Sequence, residues 1–291
     1  MHIRFNGFTA GARGELYVVD MPSPEDDLTP DRTDVFGDDG QEAGPDYIRS
    51  SIWNITLLVN THTYDDGMRV VRQVRDAWLD PKVRQSRSLA PLSYSKDGVH
   101  WYTVYGRPGS YGGPPQGVEL DQGIAHLELQ FEQLRIPHYS VETEGLSLEV
   151  APGASGGITA PITFPIHMEA SAGTSSRWGA NAGNLPAPTT IQFNGPLTDP
   201  VLTLEGGWRF ALSGTLAYDE YLVVDSQAKT ARIHSTTRNS TRSAFDWIRK
   251  GSRLSALAMP PGQHAFTFEA IDPTQTASVD VSWPNTYNSM Q

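Results

Sequence analysis

Leu127-Glu-Leu-Gln-Phe-Glu132 alternates apolar and polar side chains without a break. A β-strand sends successive side chains to opposite faces, so this stretch is a strand with one face in a core and the other in water. Its neighbours in sequence read the same way. Val99-His-Trp-Tyr-Thr-Val-Tyr105 has the aromatic and β-branched content of a strand, Asp97-Gly98 before it is a hairpin turn signal, and Leu92-Ser-Tyr94 is the expected partner. Further upstream, Ile52-Trp-Asn-Ile-Thr-Leu-Leu-Val59 is apolar enough for a buried strand. One helix interrupts the series. Thr63 with Asp66 three residues on matches a capping box, Val70, Val71, Val74, Ala77 and Trp78 recur at helical spacing, and Asp80-Pro81 stops the helix.

Downstream, Ala151-Pro-Gly-Ala-Ser-Gly-Gly-Ile-Thr-Ala160 reads as a linker, placing one domain at residues 1–150 and another at 151–291. Helical signals then nearly vanish. Candidate strands follow at Ile162–Met168, Thr190–Phe193, Val201–Leu204, Trp208–Leu212, Tyr221–Val224, Ala231–His234, Ala265–Ile271 and Ala277–Trp283, with one short helix expected at Ser243–Arg249. Short strands spaced by turn residues predict a β-sandwich. The fold class is mainly β: an N-terminal β-rich domain with one helix, then a sandwich.

Two segments fall outside this pattern. From about Pro22 to Pro45 the chain is rich in Asp, Glu, Pro and Gly, and with little apolar surface to bury it reads as a solvated extended arm or loop. The calcium-loop spacing of an EF-hand is not met around Asp34 to Glu42. Arg107-Pro-Gly-Ser-Tyr-Gly-Gly-Pro-Pro-Gln-Gly117 reads as a loop.

Of the 291 residues, 22 are Lys or Arg and 33 Asp or Glu, a formal net charge of −11, which argues against stable nucleic-acid binding. No run of apolar residues approaches the ~18 needed to span a bilayer, and the opening Met1-His-Ile-Arg-Phe-Asn-Gly7 lacks a secretory signal, so cytoplasmic synthesis without membrane insertion is the expectation. With no Cys there is neither a disulfide nor a thiolate metal site.

Catalytic chemistry is hard to place. Gly153-Ala-Ser155-Gly-Gly157 fits the nucleophile-elbow pattern formally, but it lies in a Gly-rich stretch, not at a strand-to-helix turn. The eight His are scattered with no pair at metal-ligand spacing. No catalytic residue, cofactor or metal is expected. Exposed aromatics suit binding better: Tyr111 and Trp178 lie in Gly-rich loops and are candidate contact residues, as are Asp31 and Asp34 on the acidic arm.

Several stretches, taken in order, resemble distal tail proteins of long-tailed, non-contractile phages, especially minor tail proteins of phages infecting actinobacteria. They are Ile3-Arg-Phe-Asn-Gly7, Val71-Arg-Gln-Val-Arg-Asp-Ala-Trp78, Ala90-Pro-Leu-Ser-Tyr94 followed by Trp101-Tyr-Thr-Val-Tyr-Gly-Arg-Pro108, and Ile136-Pro-His-Tyr-Ser140. In the second half they are Ile191-Gln-Phe-Asn-Gly-Pro196 with Asp199-Pro-Val-Leu202, Glu220-Tyr-Leu-Val-Val-Asp225 and Met259-Pro-Pro-Gly-Gln-His264. The resemblance implies an N-terminal domain forming a hexameric ring around the tail channel and a galectin-like C-terminal sandwich. Implied partners are further copies of the chain, the tail tube protein, and tail-tip and receptor-binding proteins; the implied place is the virion tail. Sugar recognition does not come with the sandwich: His234-Ser-Thr-Thr-Arg238 has Thr where galectins carry Asn, and no Trp-Gly follows. The competing expectation is a carbohydrate-binding or receptor-binding module acting through Trp178.

Overall fold

The computed structural model describes residues 1–12, 14–34, 39, 41–85, 88–114, 118–150, 172–272, 274 and 276–291. The expected linker, the Ser155 motif and the expected strand at 162–168 lie outside the described residues. The chain forms two compact units, Met1–Val141 with Tyr287–Gln291, and Glu142–Thr286.

The first unit holds strands β1 (His2–Phe5), β2 (Phe8–Ala10), β3 (Leu16–Asp20), β4 (Glu25–Thr29), β5 (Arg32–Asp34), β6 (Gln41–Ala43) and β7 (Tyr47–Asn60). Then come helix α1 (Tyr64–Leu79), β8 (Ala90–Ser95), β9 (Tyr102–Gly112), the short helix α2 (Val118–Asp121) and β10 (Ile124–Glu149), of which residues up to Val141 belong here. The strands pair antiparallel in the order β2-β1-β8-β9-β10-β7, with β3 and β4 on the far side of β7. A bridge between Gly11 and Tyr17 joins the end of β2 to β3, so the two ends of this order meet and fewer backbone groups are left unpaired.

The Leu127–Glu132 alternation is realised in β10: Leu127, Leu129 and Phe131 are buried opposite Leu57, Ile55 and Trp53 of β7. They share a core with Ile3, Phe5 and the helix residues Val70, Val71, Val74 and Trp78. Thr63 caps α1, its hydroxyl oxygen accepting from the Asp66 backbone N–H (3.2 Å), and the helix ends at Asp80 before Pro81, as its signals require. Leu92–Tyr94 does pair with the following strand, but that strand begins at Tyr102, because residues 96–101 are spent on a turn organised by Asp97.

The loop expected over 107–117 is corrected by the structure for Arg107–Gly112, while residues 115–117 lie outside the described residues. β9 continues to Gly112. Pairing with β8 stops at Gly106, so from Arg107 onward β9 is an edge strand, where Pro108 is tolerated. The glycines serve close approach: a Cβ on Gly106 would overlap the Glu132 carbonyl oxygen, and one on Gly109 would come to 2.9 Å of that of Gln130. Tyr111 is therefore a strand residue.

The second unit adds β11 (Ala172–Asn181), β12 (Ala187–Pro188), β13 (Thr190–Asn194), β14 (Leu197–Leu204), β15 (Arg209–Ala211), β16 (Thr215–Leu216), β17 (Glu220–Asp225), β18 (Thr230–Ser235), β19 (Ser240–Ser243), β20 (Ala258–Met259), β21 (Gly262–Ile271) and β22 (Ser278–Tyr287). One layer runs β19-β18-β17-β13-β22, and the other β11-β21-β14-β15. Alternate residues of both layers (Phe193, Leu222, Ile233 and Trp283 from one; Leu202, Phe210, Phe266 and Phe268 from the other) close a shared core, with the Phe193 and Phe268 rings 6.1 Å apart. This is the packing of a β-sandwich, and the chain is mainly β as expected. Two local expectations are corrected. Ser243–Arg249 contains only a 3-10 turn at Phe245–Trp247, its N–H groups bonding three residues back. Trp178 lies in strand β11, not in a loop, because its Gly- and Ser-rich segment pairs along its length with β21.

Candidate interaction surfaces

The acidic arm is strand-paired yet solvated. β4 pairs with the start of β7, and β5 with β6 beyond it; every residue of β5 and β6 is exposed. Asp34 accepts a hydrogen bond from Gln41 Nε2 (2.8 Å), and the Asp31 carbonyl accepts from the Gly44 N–H (2.7 Å). At the base of this ribbon Leu28, Tyr47 and Ile48 are exposed. A lone two-stranded ribbon gains little stability by itself. Its exposed apolar side chains are surface available for contact.

Tyr111 lies on a second surface of the same unit. Tyr64, Met68, Val71 and Arg75 follow one stripe of α1, and with Tyr111, Pro114 and Leu120 they line an open cleft of about 670 Å³. The Tyr111 ring packs against the core, while its buried hydroxyl has no hydrogen-bond partner among the described residues. Burial raises the phenol above its ordinary pKa, so it is neutral and able to donate. Trp178 belongs to the second unit, 66% exposed on β11. Of the four sequence-nominated residues, then, Asp31 and Asp34 share a hairpin, whereas Tyr111 and Trp178 sit on separate surfaces.

Sequence reasoning missed a buried polar chain in the first unit. Trp53 Nε1 donates to Gln133 Oε1 (2.8 Å), and Gln133 Nε2 donates to the carbonyls of Arg135 and Ile136 (2.8 and 2.7 Å). Beside it, the Tyr94 hydroxyl meets His138 Nδ1 (2.8 Å) and accepts from the Gln291 backbone N–H (3.3 Å). A signal was present: Gln133 shares the inward parity of Leu127, Leu129 and Phe131, and a fully buried Gln needs partners.

One arrangement imitates a catalytic set. Ser95, Asp97 and His100 are linked, but the Ser95 hydroxyl donates to Asp97 Oδ1 (3.0 Å), and Asp97 Oδ2 lies 2.6 Å from His100 Nδ1. The carboxylate thus stands between the hydroxyl and the imidazole, whereas nucleophilic catalysis needs the imidazole against the hydroxyl. Asp97 also accepts from the backbone N–H groups of Val99 and His100 (both 2.8 Å), which together with His100 hold its carboxyl well below the ordinary range. It is a turn organiser. Among the described residues no group of three or more His, Asp or Glu could hold a metal ion, and no helix is long and apolar enough to cross a membrane.

No protein-family model matches the chain, and no curated protein matches it in sequence. Solved structures do share its fold. The Dit protein (gp 19.1) of SPP1, described as a paradigm of the hub adsorption apparatus in phages infecting Gram-positive bacteria, matches with a TM-score of 0.61 at 12% identity, over 98% of this chain and 98% of that one. A chain of the phage P2 baseplate, in its activated conformation with Ca, matches with a TM-score of 0.50 at 11% identity, over 92% of this chain and 90% of that one. The same baseplate with Sr gives the same values.

Proposed function

We propose that this chain is a structural protein of a phage tail tip, of the distal tail type, with no enzymatic role. It assembles as a hexameric ring that connects the tail tube to the tip and receptor-binding proteins, in a virion put together in the host cytoplasm. The observation that carries this reading is the end-to-end correspondence with the SPP1 hub protein, over nearly the whole length of both chains. The ordered sequence motifs support it independently. So does the acidic balance, since a chain with a formal net charge of −11 repels a polyanion and suits a conduit better than a DNA-binding protein. Ring assembly needs surfaces, and the first unit offers two, the acidic ribbon and the Tyr111 cleft.

Light scattering and negative-stain images of the purified chain test the reading. A six-fold ring is the expected particle; a strict monomer, together with no such ring in the virion, would overturn it. A narrower experiment assigns the ribbon. Excising residues 32–43 and joining Asp31 to Gly44 through an Asn-Gly turn uses two residues that already share a backbone hydrogen bond. Because the described residues of the excised stretch are all exposed, the thermal midpoint of the variant is expected to be unchanged while the ring is lost. Intact rings would remove the ribbon from the assembly contact.

A further inference from the structure

A closed ring of identical chains is built from heterologous contacts: each copy offers one patch to the copy ahead and receives a different patch from the copy behind. Two patches of the first unit, unlike each other, meet that requirement. The first is the base of the acidic ribbon. Leu28 and Ile48 stand opposite each other in the β4–β7 register, 60% and 37% exposed, and a facing pair of this kind forms one apolar knob. The charge around it has one sign: between Glu25 and Asp46 stand nine acidic residues and a single basic one, Arg32.

The second patch is the Tyr111 cleft, whose apolar lining of Tyr64, Met68, Val71, Pro114 and Leu120 has room for such a knob at about 670 Å³. Basic side chains gather beside it. Arg75 shares its wall with one acid, Asp121, and Arg72, Lys82 and Arg84 follow in the same segment against Asp76 and Asp80. Arg84 Nη2 donates to the Gly109 carbonyl (3.3 Å) and Arg107 Nη2 to the Gln85 carbonyl (2.9 Å), which ties this basic segment to the strand edge that carries Tyr111. Among the described residues none of these basic side chains is in an ion pair, nor is Asp27, Asp31 or Glu42 of the ribbon. Charges of opposite sign thus remain open on the two patches, which is the complementarity that orients a docking pair. On one copy the patches lie apart. From Ile48 to Asn60 β7 covers roughly 40 Å at about 3.3 Å per residue, and Tyr64 and Leu120 belong to the Asn60 end, where the Thr61 N–H donates to the Gly123 carbonyl (3.0 Å) and the Gly123 N–H to that of Leu120 (2.9 Å).

We propose that the two patches are the halves of one contact between copies of this chain: Leu28 and Ile48 of one copy enter the Tyr111 cleft of the next, and the acidic ribbon lies along its Arg72–Arg84 segment. The inference rests on the ring reading above and adds the direction and chemistry of the contact. The test mixes two full-length variants, each lacking one half. Leu28→Lys with Ile48→Glu removes the knob while keeping an opposite-charge pair across the strands. Tyr64→Asp with Arg75→Glu blocks the cleft, both at exposed positions of α1. By light scattering the native chain is expected to form rings and each variant alone to stay a single chain. An equimolar mixture is expected to give a particle of twice the chain mass and nothing larger, because one intact knob meets one intact cleft and both outer ends are blocked. Native thermal midpoints check that the variants fold; where one falls, the milder Leu28→Thr or Tyr64→Thr takes its place. Rings in either variant alone, or a mixture that stays monomeric while the native chain forms rings, overturn the contact and leave the ring reading standing. A native chain that forms no ring in solution or in the virion overturns both.

Discussion

Trp53→Ala is expected to destabilise the first unit by about 4 kcal/mol or more. Trp53 is fully buried on β7, opposite Phe131 of β10, with ring contacts to Tyr94 at 5.3 Å and His138 at 5.7 Å. Truncation removes the largest side chain from this part of the core and leaves a cavity that a paired sheet cannot collapse. It also takes the donor from Gln133 Oε1, and Gln133 cannot turn over to compensate, because its amide nitrogen already serves two carbonyls that would repel the oxygen. Domain stabilities lie at roughly 5–15 kcal/mol, so the loss is a large fraction of one unit's stability. Trp53→Phe keeps most of the packing and is expected to cost about 2 kcal/mol, chiefly for the orphaned amide oxygen. Urea unfolding followed by a probe confined to the first unit measures both; a loss below about 1 kcal/mol for the alanine variant would mean that the indole is not a keystone of this core.

Stability of the same unit is expected to fall as pH drops from 6.5 toward 4. Burial, the largest influence on His138, pushes its imidazole down to about 4 from an ordinary 6.5, with a smaller opposing pull from Asp26. The neutral ring shares a hydrogen bond at Nδ1 with the Tyr94 hydroxyl, whose oxygen also accepts from the Gln291 N–H. Between those two pH values the unfolded chain binds a proton that the folded chain refuses, so folding weakens by about 1.4 kcal/mol per pH unit, about 3 kcal/mol in all, and the effect levels off below pH 4. Carboxylates with lowered pKa act in a different window. Glu220, held down chiefly by its hydrogen bond to Arg242, gives stability that is present above its ordinary 4.5 and is lost only below it. The interval from 6.5 to 4.5 therefore isolates the imidazoles. Thermal midpoints across it should slope for the native chain and flatten in His138→Gln, and the His138 ring resonances should titrate near 4. A midpoint near 6.5 would remove the explanation.

The parts of this protein readable in its sequence are those whose cause is local. Alternation at Leu127–Glu132 states which face of a strand meets a core, whatever it pairs with. The Thr63 cap, the Val70–Trp78 stripe and the stop at Asp80-Pro81 define α1 within one stretch of chain. Strand patterns across 190–283 likewise announced the sandwich, since short strands between turn residues have few other ways to bury one face.

What the tertiary structure decided depends on neighbours distant in sequence. Arg107–Gly112 reads as a loop because Gly and Pro are poor strand formers, yet β10 supplies a partner, which Gly106 and Gly109 approach more closely than a Cβ would allow. Trp53 and Trp283 read as strand residues and Trp178 as a loop residue, yet all three lie in strands. Two are buried and one is exposed, because β7 and β22 lie over cores while Trp178 occupies an outward position of β11, alternating with Arg177 and Gly179, whose nearest neighbours are Ser147 and Trp283. Gln133 and His138 are ordinary polar letters in sequence and become buried hydrogen-bonded groups only once β7, β8 and the chain end at Gln291 surround them. Composition and periodicity set the class of fold, because burying apolar area requires only a pattern. Which aromatic is packed, which polar group is enclosed and which surface stays open follow from strand pairing across the chain, which no local pattern encodes.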